Sequence, residues 1–330
     1  MAGFSVGSLS TYTVEGRSDI KRKIVFGAVS IPLVTVYEGI KYSEKIPYMT
    51  SDPVFQAISG CAAQNSSGDG GTFADLTLTV DTFGIENEWC FDTLRNKFTQ
   101  KYLRAGANMD ENAATAEFMN TVMEDKDARV TKKFEIAMWQ SSKTQGGSNT
   151  DYKQFNGLLQ SLETQGGYVN SQTVAGTSYT SITTSNVITI FNNMWLATPS
   201  DLRRQTDTVT VCGEDTFDKL VIALTNANMF HYKYDGSTPR YELTMPGTGQ
   251  RIVGVPGLNA DNNSALPAMF KNRILTFNKA QAYLGTDLIS DINDSMVWYE
   301  KKDKKLYSTE TYRFTTGWMF PEQVVSFATA

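Results

Sequence analysis

The chain has one histidine and three cysteines in 330 residues. A histidine-rich metal centre is therefore excluded by count. A Ser-His-Asp or Cys-His triad has only His231 to use, and it stands in Asn228-Met229-Phe230-His231-Tyr232, a predicted helix end among aromatics, where a structural role is favoured. Cys61, Cys90 and Cys212 are odd in number and contain no Cys-x-x-Cys, so reduced, buried thiols are expected rather than a disulfide framework or a zinc site. Positive charge is not in excess: the formal net charge is −5. The sequence pI is about 5.1, which argues against a surface built to neutralise phosphates. The basic runs Arg17–Lys23 and Lys301–Lys305 are short and lack interleaved stacking aromatics, so they read as an arm and a turn.

Long hydrophobic runs are also lacking. Ile24 to Val36, preceded by Lys21-Arg22-Lys23, is too short to span a bilayer, starts too far in for an export signal, and is rich in β-branched residues around Pro32. It reads as a strand with a basic approach, Ser30 to Tyr37 being its core. Ser67-Gly68-Asp69-Gly70-Gly71 lacks the Gly-Lys-Ser/Thr ending of a phosphate loop, and Gly247-Thr248-Gly249 lacks a third glycine, so both read as turns. Asp287, Asp291 and Asp294 could ligate a hard cation, but their spacing is not that of a calcium loop and a solvated loop is the stronger reading. Glu124, Asp125 and Asp127 fall on a polar helix face, which suits solvent or a subunit contact better than acid–base work. No catalytic, cofactor-binding or metal-binding residue is singled out, and no enzyme, cofactor or membrane is implied.

What is present is 41% hydrophobic and 12% aromatic residues, enough for a substantial core and for two domains or one large one with arms. From Asp110 to Gln140 no proline or glycine interrupts a helical pattern, with Phe118, Met119, Val122, Met123, Val130, Phe134, Ile136 and Ala137 on one arc and Glu117, Glu124, Lys132 and Glu135 opposite. At 1.5 Å per residue this predicts a half-buried rod about 45 Å long. Residues 1–23 read as an extended arm. Lys45–Ile58 and Thr72–Phe83 flank a glycine-rich tip at 64–71, predicting a long hairpin whose two faces both mix polar and apolar residues. Such a hairpin wants a partner.

Helices are expected over Glu88–Arg104, Tyr152–Leu162, Thr183–Leu196 (opened by Thr184 or Ser185) and Glu214–Phe230, with a linker-like loop at 165–181. Strands are expected at Thr208–Cys212, Arg240–Thr244, Arg251–Val255, Ile274–Asn278, Ala280–Leu284, Met296–Lys301, Leu306–Phe314 and Gln323–Phe327. The class is α+β with a compact α/β lobe.

The order of arm, glycine-tipped hairpin, spine helix ending Phe134-Glu135-Ile136-Ala137-Met138-Trp139-Gln140, then Phe155-Asn156-Gly157-Leu158-Leu159 and an α/β lobe resembles the major capsid proteins of tailed bacteriophages, the Hong Kong 97-like capsid fold. Ala282-Tyr283-Leu284-Gly285-Thr286-Asp287-Leu288, Met296-Val297-Trp298-Tyr299 and Tyr312-Arg313-Phe314-Thr315-Thr316-Gly317-Trp318 carry the resemblance most strongly, and within that family the chain looks closest to shells of phages of Bacteroidetes. The resemblance implies an N-terminal arm and leading strand at 1–39 and an extended-loop (E-loop) hairpin at 40–85. It further implies a peripheral (P) domain at 86–181 with the spine helix 110–140, an axial (A) domain at 182–290, and closing P-domain strands at 291–330. The function implied is self-assembly through hexamers and pentamers into an icosahedral shell that encloses double-stranded DNA without gripping it, in the virion, built in the host cytoplasm. Partners would be further copies of the chain, with scaffold, portal and decoration proteins. Arg17 and Ile20 of the arm and Phe73, Asp75 and Leu76 of the hairpin are the expected subunit contacts. Met1 leads straight into the arm, so scaffolding would be separate or absent, and the family's crosslinking chemistry is not carried over: Lys41 and Lys45 lie in the loop without matched partners. An encapsulin-type nanocompartment shell shares the fold and remains the alternative. A metal-dependent α+β hydrolase using Asp287 and Asp291 is the remote one.

Overall fold

The computed structural model describes residues 12–13, 29–53, 55, 71–90, 129–145, 151–227, 241–259, 270–287, 296–300 and 305–329. Among the described residues, two six-stranded sheets and one two-stranded sheet hold the strands. The first large sheet is organised on a fourteen-residue strand, β13 (Lys305–Trp318). This strand pairs antiparallel with β5 (Asp81–Cys90) from Lys305 to Phe314, with β12 (Met296–Glu300) from Lys305 to Thr309, and with β11 (Ala282–Thr286) from Phe314 to Trp318. Strand β2 (Thr35–Tyr37) runs parallel to β11, and Tyr12–Thr13, which forms β1, pairs with β12.

The second large sheet has the order β6 (Val169–Asn170), β14 (Val325–Phe327), β10 (Ile274–Asn278), β7 (Thr208–Gly213), β9 (Arg251–Val255), β8 (Glu242–Thr244). Its side chains alternate between two cores, as the two-residue period of a strand requires. Val209, Val211, Val253, Val255, Leu275 and Phe277 face a core shared with the spine helix and the first sheet. Cys212, Ile252, Ile274, Val325 and Phe327 face the helices Val187–Ala197 and Glu214–Asn226. A sheet covered on both faces reads as nearly continuous apolar sequence, and this one does. Thr210 and Thr276, two of its buried polar residues, bond to each other at 2.8 Å.

The spine helix is described over 129–140 and ends where the sequence predicts; 110–128 lie outside the described residues. One correction concerns its faces. Glu135 was expected on the polar side but is only 4% exposed, because residues 134–140 are enclosed all round. Its carboxylate accepts from the backbone N–H of Ser30 at 3.3 Å and from the Ser30 hydroxyl, which itself accepts from Trp139 Nε1 at 2.7 Å. The helix end is closed by the segment that follows. Gly157 N–H donates to the Ser141 carbonyl at 2.7 Å, and the Ser141 hydroxyl donates to the carbonyl of Phe155 at 2.6 Å. A Cβ at Gly157 would meet three spine carbonyl oxygens at 2.7–2.9 Å, so only glycine fits.

Several predicted bounds shift for local reasons. The helix expected from Tyr152 begins at Leu158, since 152–157 is spent capping the spine. The helix expected from Thr183 begins at Val187, because Asn186 Oδ1 accepts from the Thr183 N–H and holds the preceding turn. Residues 165–181 are not a plain loop: β6 and the helix Ser171–Ala175 lie there, the latter capped by Asn170 accepting from Gln172 N–H at 3.0 Å. Lys279–Gln281 forms a 3-10 turn with an Asn278/Gln281 capping box, which moves the next strand to Ala282–Thr286. Glu88–Cys90, expected to open a helix, ends strand β5; 91–104 lie outside the described residues, as does His231. Among the described residues no helix is long and apolar enough to cross a membrane.

Candidate assembly surface

The hairpin is β3 (Ser43–Thr50) paired antiparallel with β4 (Thr72–Thr79), from Ser43 opposite Thr79 to Thr50 opposite Thr72; the tip residues 56–70 lie outside the described residues. Register and the two-residue period sort its side chains. Ile46, Tyr48, Leu76 and Leu78 take the inward face, where Leu76, Leu78 and Val80 form a small core with Ile40 and Met319. Tyr48 meets Phe320 edge-on at 5.1 Å. Burial of this sort contributes about 1.5–3 kcal/mol per large aliphatic side chain, so the base of the hairpin is firmly held.

The outward face is polar at the base and apolar towards the tip. Ser43 and Thr79 hydroxyls bond at 3.1 Å, and Lys45 Nζ donates to Asp75 Oδ2 at 2.7 Å. Beyond them Met49 and Phe73 are direct cross-strand partners, 55% and 80% exposed. Phe55 is fully exposed. Scattered exposed apolar residues need no explanation; these differ in that two of them are paired on one strand face.

Of the residues expected at contacts, Phe73 and Asp75 lie on this outward face. Leu76 lies inside the subunit, against Ile40 and Leu78, so the period of the strand turns it away from any neighbour meeting the outer face. Arg17 and Ile20 are outside the described residues. Met49 was not singled out from the sequence, because Gly68, Gly70 and Gly71 stand beside one strand and do not give the register that sets Met49 opposite Phe73.

Asp287 is not in a solvated loop. Its carboxylate is 2% exposed and ion-paired with Arg313, with Lys41 Nζ at 3.8 Å. Asp291 and Asp294 lie outside the described residues, and among the described residues no three His, Cys, Asp or Glu side chains gather as metal ligands. Cys212 is buried, and burial pushes its thiol far above the ordinary range, which makes it inert at neutral pH. A second buried pair, Arg273 with Glu163, sits over the Tyr168 ring and ties the helix Leu158–Gln165 to β10; burial lowers the guanidinium to about 10.

No protein-family model matches this chain, and no curated protein matches it. Solved structures do. The satellite phage P4 procapsid, a structure that includes its size determination protein, is similar at a TM-score of 0.54 and 10% identity, over 94% of this chain and 98% of that one. A chain from Gordonia phage Cozz gives 0.55 and 11% over 92% of this chain and 87% of its own, and the capsid of Myoviridae phage XM1 gives 0.55 and 10% over 92% of each. The chain therefore has the Hong Kong 97-like capsid fold, mixed α+β, across nearly its whole length.

Proposed function

We propose that this chain is the major capsid protein of a tailed bacteriophage, assembling as hexamers and pentamers into an icosahedral shell around double-stranded DNA. The observation that carries the reading is the full-length likeness to phage capsid chains, which leaves little of either chain unmatched. The exposed Met49–Phe73 pair supports it independently, because a second copy of the chain would bury that surface. In this reading residues 40–85 are the extended loop, 182–290 the axial domain, and 86–181 with 291–330 the peripheral domain. Phe73 and Asp75, with Arg17 and Ile20 of the arm, meet neighbouring copies. Scaffold, portal and decoration proteins are the further partners of such a shell, the virion is its location, and the host cytoplasm is where it assembles. The acidic net charge suits a wall that encloses DNA without binding its phosphates.

The test is negative-stain microscopy of the purified chain, alone and with a co-expressed scaffold, beside a variant lacking 64–71. The full chain forms regular shells; the shortened one stays a soluble subunit. Normal shells from the shortened chain would remove the hairpin from the mechanism, and no shells from the full chain under either condition would remove the function.

A further inference from the structure

Gly285 and Gly317 stand in two of the three segments that most strongly marked the sequence, and neither has a positive φ. Their backbones would accept any residue, so what matters is the side chain they lack. They sit on the adjacent strands β11 and β13, where Gly285 pairs with Thr315 and Gly317 with Tyr283, two residues apart on one face. A Cβ at Gly317 would lie 2.8 Å from Leu78 Cδ2 and 3.4 Å from Leu76 Cδ1; one at Gly285 would lie 2.7 Å from Ile40 Cδ1, 2.7 Å from Cγ2 of its cross-strand neighbour Thr315, and 3.5 Å from Leu78 Cδ1. The inward side chains of the hairpin thus rest on a floor made by two missing methyl groups.

The kind of atom met decides the consequence. At Gly157 and Gly257 an added Cβ would strike backbone carbonyls of the spine helix, and the body itself would have to deform. At Gly317 it would strike only side-chain ends that belong to the hairpin. The hairpin is joined to the body just beside this floor, through Ile40 N–H to the Thr286 carbonyl at 3.1 Å, and its own strands close at Val80 N–H to the Tyr42 carbonyl at 3.0 Å. With the outward face of the hairpin uncovered, a methyl at Gly317 is relieved by lifting it.

We propose that Gly285 and Gly317 form a seat that sets the pitch at which the hairpin leaves the body, and that this pitch selects the curvature of the particle. The curvature clause rests on the capsid reading; the seat itself does not. Leu78 is two residues, roughly 7 Å, from the root at Val80, and the far end of β4 is about 27 Å from it. Raising Leu78 by about 0.8 Å to restore ordinary contact turns the hairpin by roughly 7° and moves its far end by about 3 Å. Once packed against a neighbouring copy, the Met49–Phe73 surface would not tolerate a shift of that size without a change in the angle between copies.

The experiment compares the full chain with Gly317→Ala, Leu78→Ala and the double variant. Pitch is read in the unassembled subunit as the distance between spin labels at positions 73 and 218, in a chain with Cys61 and Cys90 replaced by Ser and Cys212 by Ala. Particle diameter is read by electron microscopy. The seat predicts that Gly317→Ala shifts the label distance by about 3 Å and changes the diameter or abolishes regular particles. It also predicts that Gly317→Ala/Leu78→Ala returns both readings to the wild-type value, including where Gly317→Ala alone does not fold. An unshifted label distance in Gly317→Ala, or a double variant that restores neither reading, overturns the seat. A shifted distance with unchanged particles overturns the curvature clause alone. A wild-type chain that makes no particles overturns the capsid reading and that clause with it, and the label distances still decide the seat.

Discussion

The sheet β6–β14–β10–β7–β9–β8 and the sheet β3–β4 are made by the same chemistry and end in opposite states. In the first, alternate side chains are buried on both faces, one set against the spine helix and one against the helices Val187–Ala197 and Glu214–Asn226. In the second, burial covers one face and reaches only from Val80 to Tyr48. A two-stranded hairpin is marginal in water on its own, so in the proposed reading its outer half is completed by a neighbouring copy. In that reading the difference separates residues that make the subunit from residues that join subunits, and substitutions on the two sides should fail in different ways.

The largest effect is expected at Trp139, fully buried between the spine helix and the second sheet, where its indole also holds Ser30. Trp139→Ala should cost about 3–5 kcal/mol, seen in chemical denaturation as a lower midpoint or as loss of soluble protein. Replacing Met49 and Phe73 together by Ser should do the reverse. Subunit stability should stay within about 0.5 kcal/mol, while the concentration needed for particles, measured by light scattering, should rise at least about tenfold, the equivalent of some 1.4 kcal/mol of lost burial. A double variant that unfolds the subunit would break the comparison.

Glu135 offers a smaller effect with a definite sign. Burial raises its carboxyl above the ordinary range, with the Ser30 hydrogen bonds acting against the rise and the Glu214 carboxylate adding to it. A raised carboxyl stabilises the fold below its unfolded value, and that contribution is lost as pH increases through the folded value. Glu135→Gln should therefore flatten the fall in stability above the ordinary carboxylate range and leave the chain about 1 kcal/mol more stable at pH 7, measured as the unfolding midpoint across pH. The smallest effect belongs to Lys45→Ala, which removes the exposed bridge to Asp75 and should cost under about 1 kcal/mol, less in high salt.

How much of this was legible in the sequence differs between the same two regions. The strands Arg251–Val255 and Ile274–Asn278 could be bounded from sequence because a sheet buried on both faces leaves an unbroken apolar signal. The two flanks of the hairpin could be placed on either side of the glycine-rich stretch, though not its register, and the inward alternation from Leu76 to Val80 was visible. What sequence could not give was which side of a local pattern the tertiary structure would use. Glu135 looked solvent-facing on a wheel, yet the segments at Ser30 and Gly257 close over it. Trp89 fitted a helical spacing with Leu94 and Phe98, yet up to Cys90 the chain pairs with the long strand β13, which only the tertiary structure supplies. The strand expected over Leu306–Phe314 runs on to Trp318, and within it Gly317, lacking a side chain, makes room for Leu78. Phe73 and Asp75 could be named as outward residues from periodicity alone, and the same periodicity should have set Leu76 aside.

Amide hydrogen exchange across 43–50 and 72–79, compared between unassembled subunits and purified particles, tests most directly whether neighbouring copies complete the hairpin. Completion by neighbours predicts fast exchange at 48–50 and 72–74 in the subunit, slowed at least about tenfold in particles, with 209–211 and 275–277 equally protected in both. Equal protection of the hairpin in the two states would contradict it.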